Sequence, residues 1–237
     1  MSITHKTAFA AFGCAVAMLS VSAHAVALAG GDNVSFSIDS PLGLFGSANV
    51  VGNSLELRPN VVDSVTGKTD FIATGATLSA YQTVNITVTA LSGYQLTGFN
   101  LSESGGFAGS NLANAWIAGD LKAIDIEGDT GIAGHMNQQI VSSIAGSGLA
   151  AGSGNWTGSA AIALPVTGWG GSDGIVTSVT LTLTNDLIAL DSAEIWKSLA
   201  TVTATVSPVP EAETYAMMLA GLGLVAFMAR RRNRAAV

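Results

Sequence analysis

Three carboxylates alternate along the chain at Asp125, Glu127 and Asp129, and Gly128 places a glycine turn among them. Carboxylate oxygens gathered at a turn are the hard ligands that Ca²⁺ takes in extracellular modules. The segment lacks the further ligands of the EF-hand loop, in which a glutamate closes the site. The pattern leaves two alternatives, a weak calcium site or a strand end whose polar side chains lie in water.

Side chains for nucleophilic or zinc chemistry are sparse. His5, His24 and Cys14 lie in an N-terminal segment interpreted below as a signal peptide, so His135 is the one imidazole of the rest of the chain. A Cys/His zinc site needs several such ligands, and a Ser-His-Asp triad would depend on this single histidine. We therefore expect His135 to be an ordinary surface residue.

Paired carboxylates could support glycoside hydrolysis, with Asp39 and Glu103, or the acidic group around residue 125, as candidates. The separation of the two carboxyl groups decides whether such a pair works, and the sequence does not give that separation. A secreted glycan hydrolase is therefore kept as an alternative. The residues as a whole predict a protein that is not an enzyme.

Four tryptophans could bind sugar rings by stacking: Trp116, Trp156, Trp169 and Trp196. Aromatic side chains also dominate protein cores, so burial is the competing interpretation. An exposed aromatic row on one sheet face would favour a carbohydrate-binding module.

The composition excludes several classes of function. The 237-residue chain has a net charge of −7, and residues 26–207 keep four basic side chains against fourteen acidic ones. Such an acidic region offers no electrostatic footprint for nucleic acid. Only 11% of the residues are charged, which argues against an intrinsically disordered chain.

Alternation of apolar and polar residues predicts a single antiparallel β-sandwich over residues 26–207. Glycine-rich segments at 105–106, 152–154 and 170–174 predict turns, and 136–140 could form a helical turn. The predicted strands cover residues 34–39, 49–57, 71–80, 83–89, 94–103, 116–126, 156–164, 175–184 and 201–206.

The N-terminus has the three parts of a secretory signal peptide. Lys6 precedes an apolar run at 8–19, and small residues lead to a cleavage site after Ala25. An uncleaved anchor is the first alternative, but the run is shorter than the roughly 20 residues that span a bilayer. Lipoprotein processing at Cys14 is the second. We predict a signal peptide at residues 1–25 and a mature chain without cysteine.

The C-terminus combines prolines, an apolar segment and arginines. Pro208 and Pro210 end the last predicted strand, because proline cannot continue a ladder. An apolar helix is predicted at 215–229 and a basic tail at 230–234. Its 14 apolar residues at 216–229 would span about 21 Å, and the positive-inside rule would keep the arginines cytoplasmic. A short transmembrane helix is therefore expected, with a buried core helix as the alternative.

These residues resemble the PEP-CTERM sorting signal of Gram-negative bacteria. Val209-Pro210-Glu211 matches the start of its Val-Pro-Glu-Pro motif, Ala212 replaces the second proline, and Arg230, Arg231 and Arg232 match its arginine cluster. The resemblance implies recognition by an exosortase, cleavage near residues 210–211, and an inner-membrane anchor held through 215–229 before processing. It further implies release to the cell surface or an exopolysaccharide matrix.

Three functions remain open from the sequence. The preferred one is an exported, non-enzymatic protein with a structural or adhesive role in a surface layer, matrix or biofilm. The first alternative is a carbohydrate-binding or calcium-dependent adhesive module, with extracellular polysaccharide as partner. The second is the secreted hydrolase. No cofactor is expected in the preferred case, and no nucleic acid partner in any case.

Overall fold

The computed structural model describes residues 26–28, 30–109, 115–128, 134–143, 152–209 and 212–234. The predicted signal peptide at 1–25 and the candidate ligand Asp129 lie outside these residues. Within them the chain forms β-strands, a short 3-10 helix at Gly43–Phe45 and one α-helix. The prediction of a mainly β protein is confirmed.

The elements follow one another along the chain in this order: β1 Val26–Ala27, β2 Val34–Ile38, β3 Ser47–Val51, β4 Ser54–Arg58, β5 Val61–Asp63, β6 Lys68–Thr69, β7 Ile72–Thr74, β8 Ser79–Ala90, β9 Tyr94–Gly109, β10 Ala115–Asp125, β11 His135–Gln139, β12 Val141–Ser142, β13 Gly152–Ala163, β14 Ser178–Ala189, β15 Glu194–Pro208 and α1 Ala212–Arg234.

The strands build two main sheets in which every described pairing is antiparallel. The first sheet has the order β1-β2-β8-β14-β10-β11, and the second has the order β12-β13-β9-β15-β4-β3, with β7 also paired to β15. A separate hairpin joins β5 and β6. The antiparallel arrangement agrees with the alternating sequence pattern.

Period-two alternation sends one side of each long strand into a common core. In the first sheet Leu181 pairs with Ile86 and Leu183 with Val84, and all four are fully buried. Residues of the second sheet, such as Leu101, belong to the same hydrophobic cluster. Burial of each large aliphatic side chain contributes roughly 1.5–3 kcal/mol, so this shared cluster positions both sheets.

Two predicted glycine turns lie inside strands instead. Gly105-Gly106 is within β9, and Gly152–Gly154 opens β13. A Cβ on Gly105 would lie 1.9 Å from the carbonyl oxygen of Trp196, and one on Gly154 would lie 2.7 Å from the Phe107 ring. These glycines are required by close approach of neighbouring groups, which a turn-based interpretation of glycine overlooks.

Other predicted boundaries also needed correction. Residues 49–57 form the hairpin of β3 and β4, which reverses at Gly52 with φ of +55°. The predicted helical turn at 136–140 is wrong, because residues 135–139 form β11 and pair with β10. Pairing of His135 with Ile124 and Met136 with Ala123 supplies backbone hydrogen bonds that a single helical turn would not match.

The predicted apolar helix is present within the longer α1. The arginines at 230–232 continue this helix rather than forming a separate tail, since arginine has high helix propensity and suits the C-terminal end of the helix dipole. No helix among the described residues is long and apolar enough to cross a membrane. The expected transmembrane role of 215–229 is therefore not confirmed.

Candidate functional site

The candidate sorting site lies at the junction of β15 and α1. β15 runs to Pro208, and the backbone N–H of Val209 donates a hydrogen bond to the Gly93 carbonyl at 2.8 Å. α1 begins at Ala212. Pro210 and Glu211, the centre of the predicted motif, lie outside the described residues. Two residues of the motif therefore separate the described end of the β region, at Val209, from the start of the helix at Ala212.

The central part of α1 exposes apolar side chains around its circumference. Every residue from 217 to 228 is exposed, and Met217, Leu222 and Phe227 are 60–73% accessible. An isolated helix of this kind in water would leave a large apolar surface uncovered. The segment therefore presents an apolar surface that the other described residues leave uncovered.

The candidate calcium ligands Asp125 and Glu127 are engaged in local hydrogen bonds. Asp125 is fully buried; its Oδ1 accepts from the Glu127 N–H at 3.0 Å and its Oδ2 from the Gly170 N–H at 3.1 Å. Glu127 Oε2 accepts from the N–H groups of Thr177 and Ser178 at 2.6 and 2.9 Å. The two carboxylates thus fasten the 170–178 segment to the end of β10.

No group of three metal-ligating side chains occurs among the described residues. Because Asp129 lies outside them, the predicted calcium set is only partly visible. Calcium binding at Asp125, Glu127 and Asp129 stays a prediction.

The two carboxylates of the candidate glycosidase pair have different partners. Asp39 follows β2 in the first sheet and accepts from the hydroxyls of Ser37 and Thr87. Glu103 lies on β9 in the second sheet and is fully buried. His135, on β11, is exposed.

A serine motif that the sequence analysis took only as a turn occupies residues 170–174. Gly170-Gly171-Ser172-Asp173-Gly174 has the Gly-x-Ser-x-Gly spacing of the α/β-hydrolase nucleophile elbow. That elbow requires a strand before the serine and a helix after it. Here the segment forms turns between β13 and β14, so the spacing lacks its structural context.

Three of the four tryptophans are buried. Trp156, Trp169 and Trp196 are 1%, 2% and 7% accessible, whereas Trp116 is partly exposed. Trp156 Nε1 donates to the Trp196 carbonyl at 3.0 Å. Packing in the core is the role that these three side chains have in the structure.

A buried ion pair is the polar feature that the sequence did not reveal. Lys197 Nζ lies 2.8 Å from Glu103 Oε2, and both side chains are completely inaccessible. The ammonium is also 5.2 Å from the Trp156 ring centroid and 5.8 Å from that of Phe71. Burial lowers the pKa of Lys197, and the charge of Glu103 opposes that shift.

A β-bulge places Lys197 on the inner face of β15. Lys197 pairs with Gly105 and Leu199 with Ser104, so the register shifts between them. Ile195 and Lys197 are buried before the shift, and Ala200 and Val202 after it. The alternation of Phe99, Leu101 and Glu103 along β9 could have predicted that the Glu103 side chain points inward. The bulge interrupts the same alternation in β15, so the inward orientation of Lys197 could not be predicted in this way.

Comparison with known proteins identifies the C-terminal region. A family model described as the PEP-CTERM protein-sorting motif matches residues 208–232. No curated protein and no solved structure matches the chain. The match confirms the resemblance noted from the sequence and supports an exported protein that is sorted through an exosortase.

Proposed function

We propose that this chain, with its PEP-CTERM motif at 208–232, is an exported surface or matrix protein with a non-enzymatic structural or adhesive role. Its two sheets would form a β-sandwich ectodomain. The observation that carries the proposal is the match of the sorting motif to a segment that begins at Pro208, the last residue of the last strand. The exposed apolar part of α1 is consistent with temporary attachment to a membrane before processing.

The junction geometry suggests how processing would occur. Residues 1–25 would direct export, and the exosortase would cleave near Pro210 and Glu211. Because Val209 is hydrogen-bonded to Gly93 and Ala212 already starts α1, the enzyme must act on a short interval. Cleavage there would leave the β region intact and remove the whole helix.

A non-enzymatic role is supported by how the candidate catalytic and ligand-binding side chains are used. Asp125 and Glu127 hold a loop, Glu103 contacts Lys197, and Trp156 packs in the core. Each of these interactions serves the architecture. The proposed structural or adhesive role is therefore assigned to the surface of the domain.

A polysaccharide-binding role is the second candidate, favoured by rows of hydroxyl groups on the outer side of the first sheet. The side chains of Thr89 and Ser178 are 3.2 Å apart, and Thr182 donates to Asn85 at 2.9 Å. Such side chains can exchange hydrogen bonds with sugar hydroxyls. Glycan-array binding, with and without calcium, tests this role and the calcium prediction together.

Processing in the native host tests the main proposal. Intact-mass measurement after fractionation should find a chain that starts at Val26 and ends near residue 210 outside the inner membrane. Deletion of the exosortase, or Glu211→Ala, should leave the tail attached and the protein with the membrane. Glu213→Ala, which removes a carboxylate outside the matched triplet, is the control. Surface material that retains Arg230–Arg232 would contradict the proposal.

A further inference from the structure

The Lys197–Glu103 ion pair is buried without hydrogen bonds from the other described residues around it. The charged atoms are 2.8 Å apart, yet the contact lacks the alignment of a hydrogen bond, and within the described part of the chain no other hydrogen-bonding partner reaches Lys197 Nζ or either carboxylate oxygen of Glu103. A buried carboxylate and ammonium are costly unless further hydrogen bonds satisfy them. The pair therefore holds two poorly compensated charges in the core.

We propose that Lys197 and Glu103 join covalently in an intramolecular isopeptide bond between β15 and β9. The two side chains belong to paired strands, with Lys197 opposite Gly105 and Glu103 opposite Ala200. The crosslink would close a loop over residues 103–197. It would replace two buried charges with one neutral amide.

The reaction needs no reagent beyond the two side chains. A proton first passes from the Lys197 ammonium to the Glu103 carboxylate, which gives a neutral amine beside a carboxylic acid. The Nζ lone pair then attacks Cδ, the bond from Cδ to the hydroxyl oxygen breaks, and the hydroxyl leaves with one amine proton as water. The balance is one amide bond formed and one water released.

The surroundings of the pair favour each part of this step. Desolvation in an apolar pocket activates a lysine as a nucleophile because it favours the neutral amine. The lowered pKa of Lys197 agrees with this effect. Trp156 and Phe71 enclose the ammonium, which keeps water from the site. Fixed contact between the reacting groups gives the high effective molarity of an intramolecular reaction.

A covalent link here would also suit the place of β15 in the chain. β15 leads directly into the sorting segment, so a pull on the C-terminus reaches β15 before any other strand. The predicted mature chain has no cysteine, and hence no disulfide could protect this strand. An isopeptide bond would attach it to β9, its longest-paired neighbour in the second sheet.

Tryptic mapping of the denatured, full-length exported protein tests the proposal directly. The expected product is a branched peptide in which residues 69–122 are joined to a peptide that begins at Ala123 and continues uncleaved past Lys197. Its mass should equal the sum of the two peptides less one water. As the dominant form, this product supports the link. Dominant free peptides 69–122 and 123–197, or a link at another residue, would overturn it.

Two variants complete the experiment. Lys197→Met with Glu103→Leu removes both charges while keeping similar volumes, so that the fold is retained and the branched peptide is lost. Lys68→Met is the matched control, because Lys68 forms a partly exposed ion pair with Glu194 in the same region. This substitution also removes the tryptic site after residue 68, so the branched link should persist on a correspondingly longer N-terminal peptide; its loss there would contradict the assignment to Lys197.

Discussion

Removal of the buried Asp125 carboxylate should destabilise the β region strongly. Asp125→Ala deletes the acceptor of two backbone N–H groups, that of Gly170 at 3.1 Å and that of Glu127 at 3.0 Å. The bond to Gly170 is buried and the bond to Glu127 partly so. An orphaned buried donor costs about 1–3 kcal/mol and a lost ordinary hydrogen bond about 0.5–1.5 kcal/mol. The expected loss is therefore about 1.5–4.5 kcal/mol.

Urea unfolding followed by tryptophan fluorescence measures this loss, because Trp169 is buried next to the loop that Asp125 fastens. Asp173→Ala is the matched control. Asp173 also accepts one backbone N–H, from Ile175 at 3.0 Å, but that contact is exposed, so its removal should cost less than about 1 kcal/mol. Equal midpoints for the two variants would refute the role assigned to Asp125.

The same titration distinguishes loop fastening from calcium binding. If Asp125 only fastens the loop, calcium leaves the wild-type midpoint unchanged. A ligand at 100 times its dissociation constant would stabilise the folded state by about 2.7 kcal/mol. A calcium-dependent rise in the wild-type midpoint that is absent from Asp125→Ala would show that the metal prediction is right and that fastening alone is insufficient.

Three further predictions concern other positions of the β region and use the same unfolding assay. Gly105→Ala should lower the free energy of unfolding by about 1–3 kcal/mol or more, because the new Cβ would lie 1.9 Å from the Trp196 carbonyl oxygen. Gly30→Ala is the control and should be nearly neutral, because no atom lies within 4 Å of its Cβ. Equal effects of the two substitutions would contradict the close-approach argument. Trp156→Phe removes the hydrogen bond from the indole N–H to the Trp196 carbonyl and should lower the free energy of unfolding by about 1–3 kcal/mol. An unchanged unfolding midpoint would contradict this prediction. Burial raises the pKa of Asp186 above 3.8, so the stability of the folded protein falls as pH rises through that raised pKa. Asp186→Asn should therefore stabilise the protein at pH 7 but not below the ordinary pKa of aspartate. An equal gain in stability at both pH values would contradict this reasoning.

Local sequence patterns predicted the strands well where alternation was strict. Residues 175–184 and 83–89 overlap β14 and β8, whose inner and outer faces follow the period-two pattern. The pattern failed at Gly105-Gly106, because the sequence does not distinguish a glycine that makes room for a neighbouring tryptophan from a glycine that forms a turn. It also failed at 49–57, where the reversal at Gly52-Asn53 between β3 and β4 was taken as part of one strand.

The candidate sites also differ in how far the sequence could predict them. The sorting motif could be recognised from sequence because its proline, apolar and arginine parts are contiguous and are recognised as a linear segment. The roles of Asp125 and Glu127 could not, since their partners at 170–178 reach them only after β10 and β14 have paired. The sequence therefore could not reveal these hydrogen bonds, and calcium binding at Asp125, Glu127 and Asp129 stays a prediction.

The β character of the chain and its C-terminal sorting motif can be predicted from the sequence, since both depend on residues close together along the backbone. Tertiary structure alone decided which polar groups meet in the core. Glu103 and Lys197 are distant in sequence, and a β-bulge reverses the alternation that would have predicted the orientation of the lysine. Their contact follows from strand pairing, whose register is set by the packing of the whole sheet.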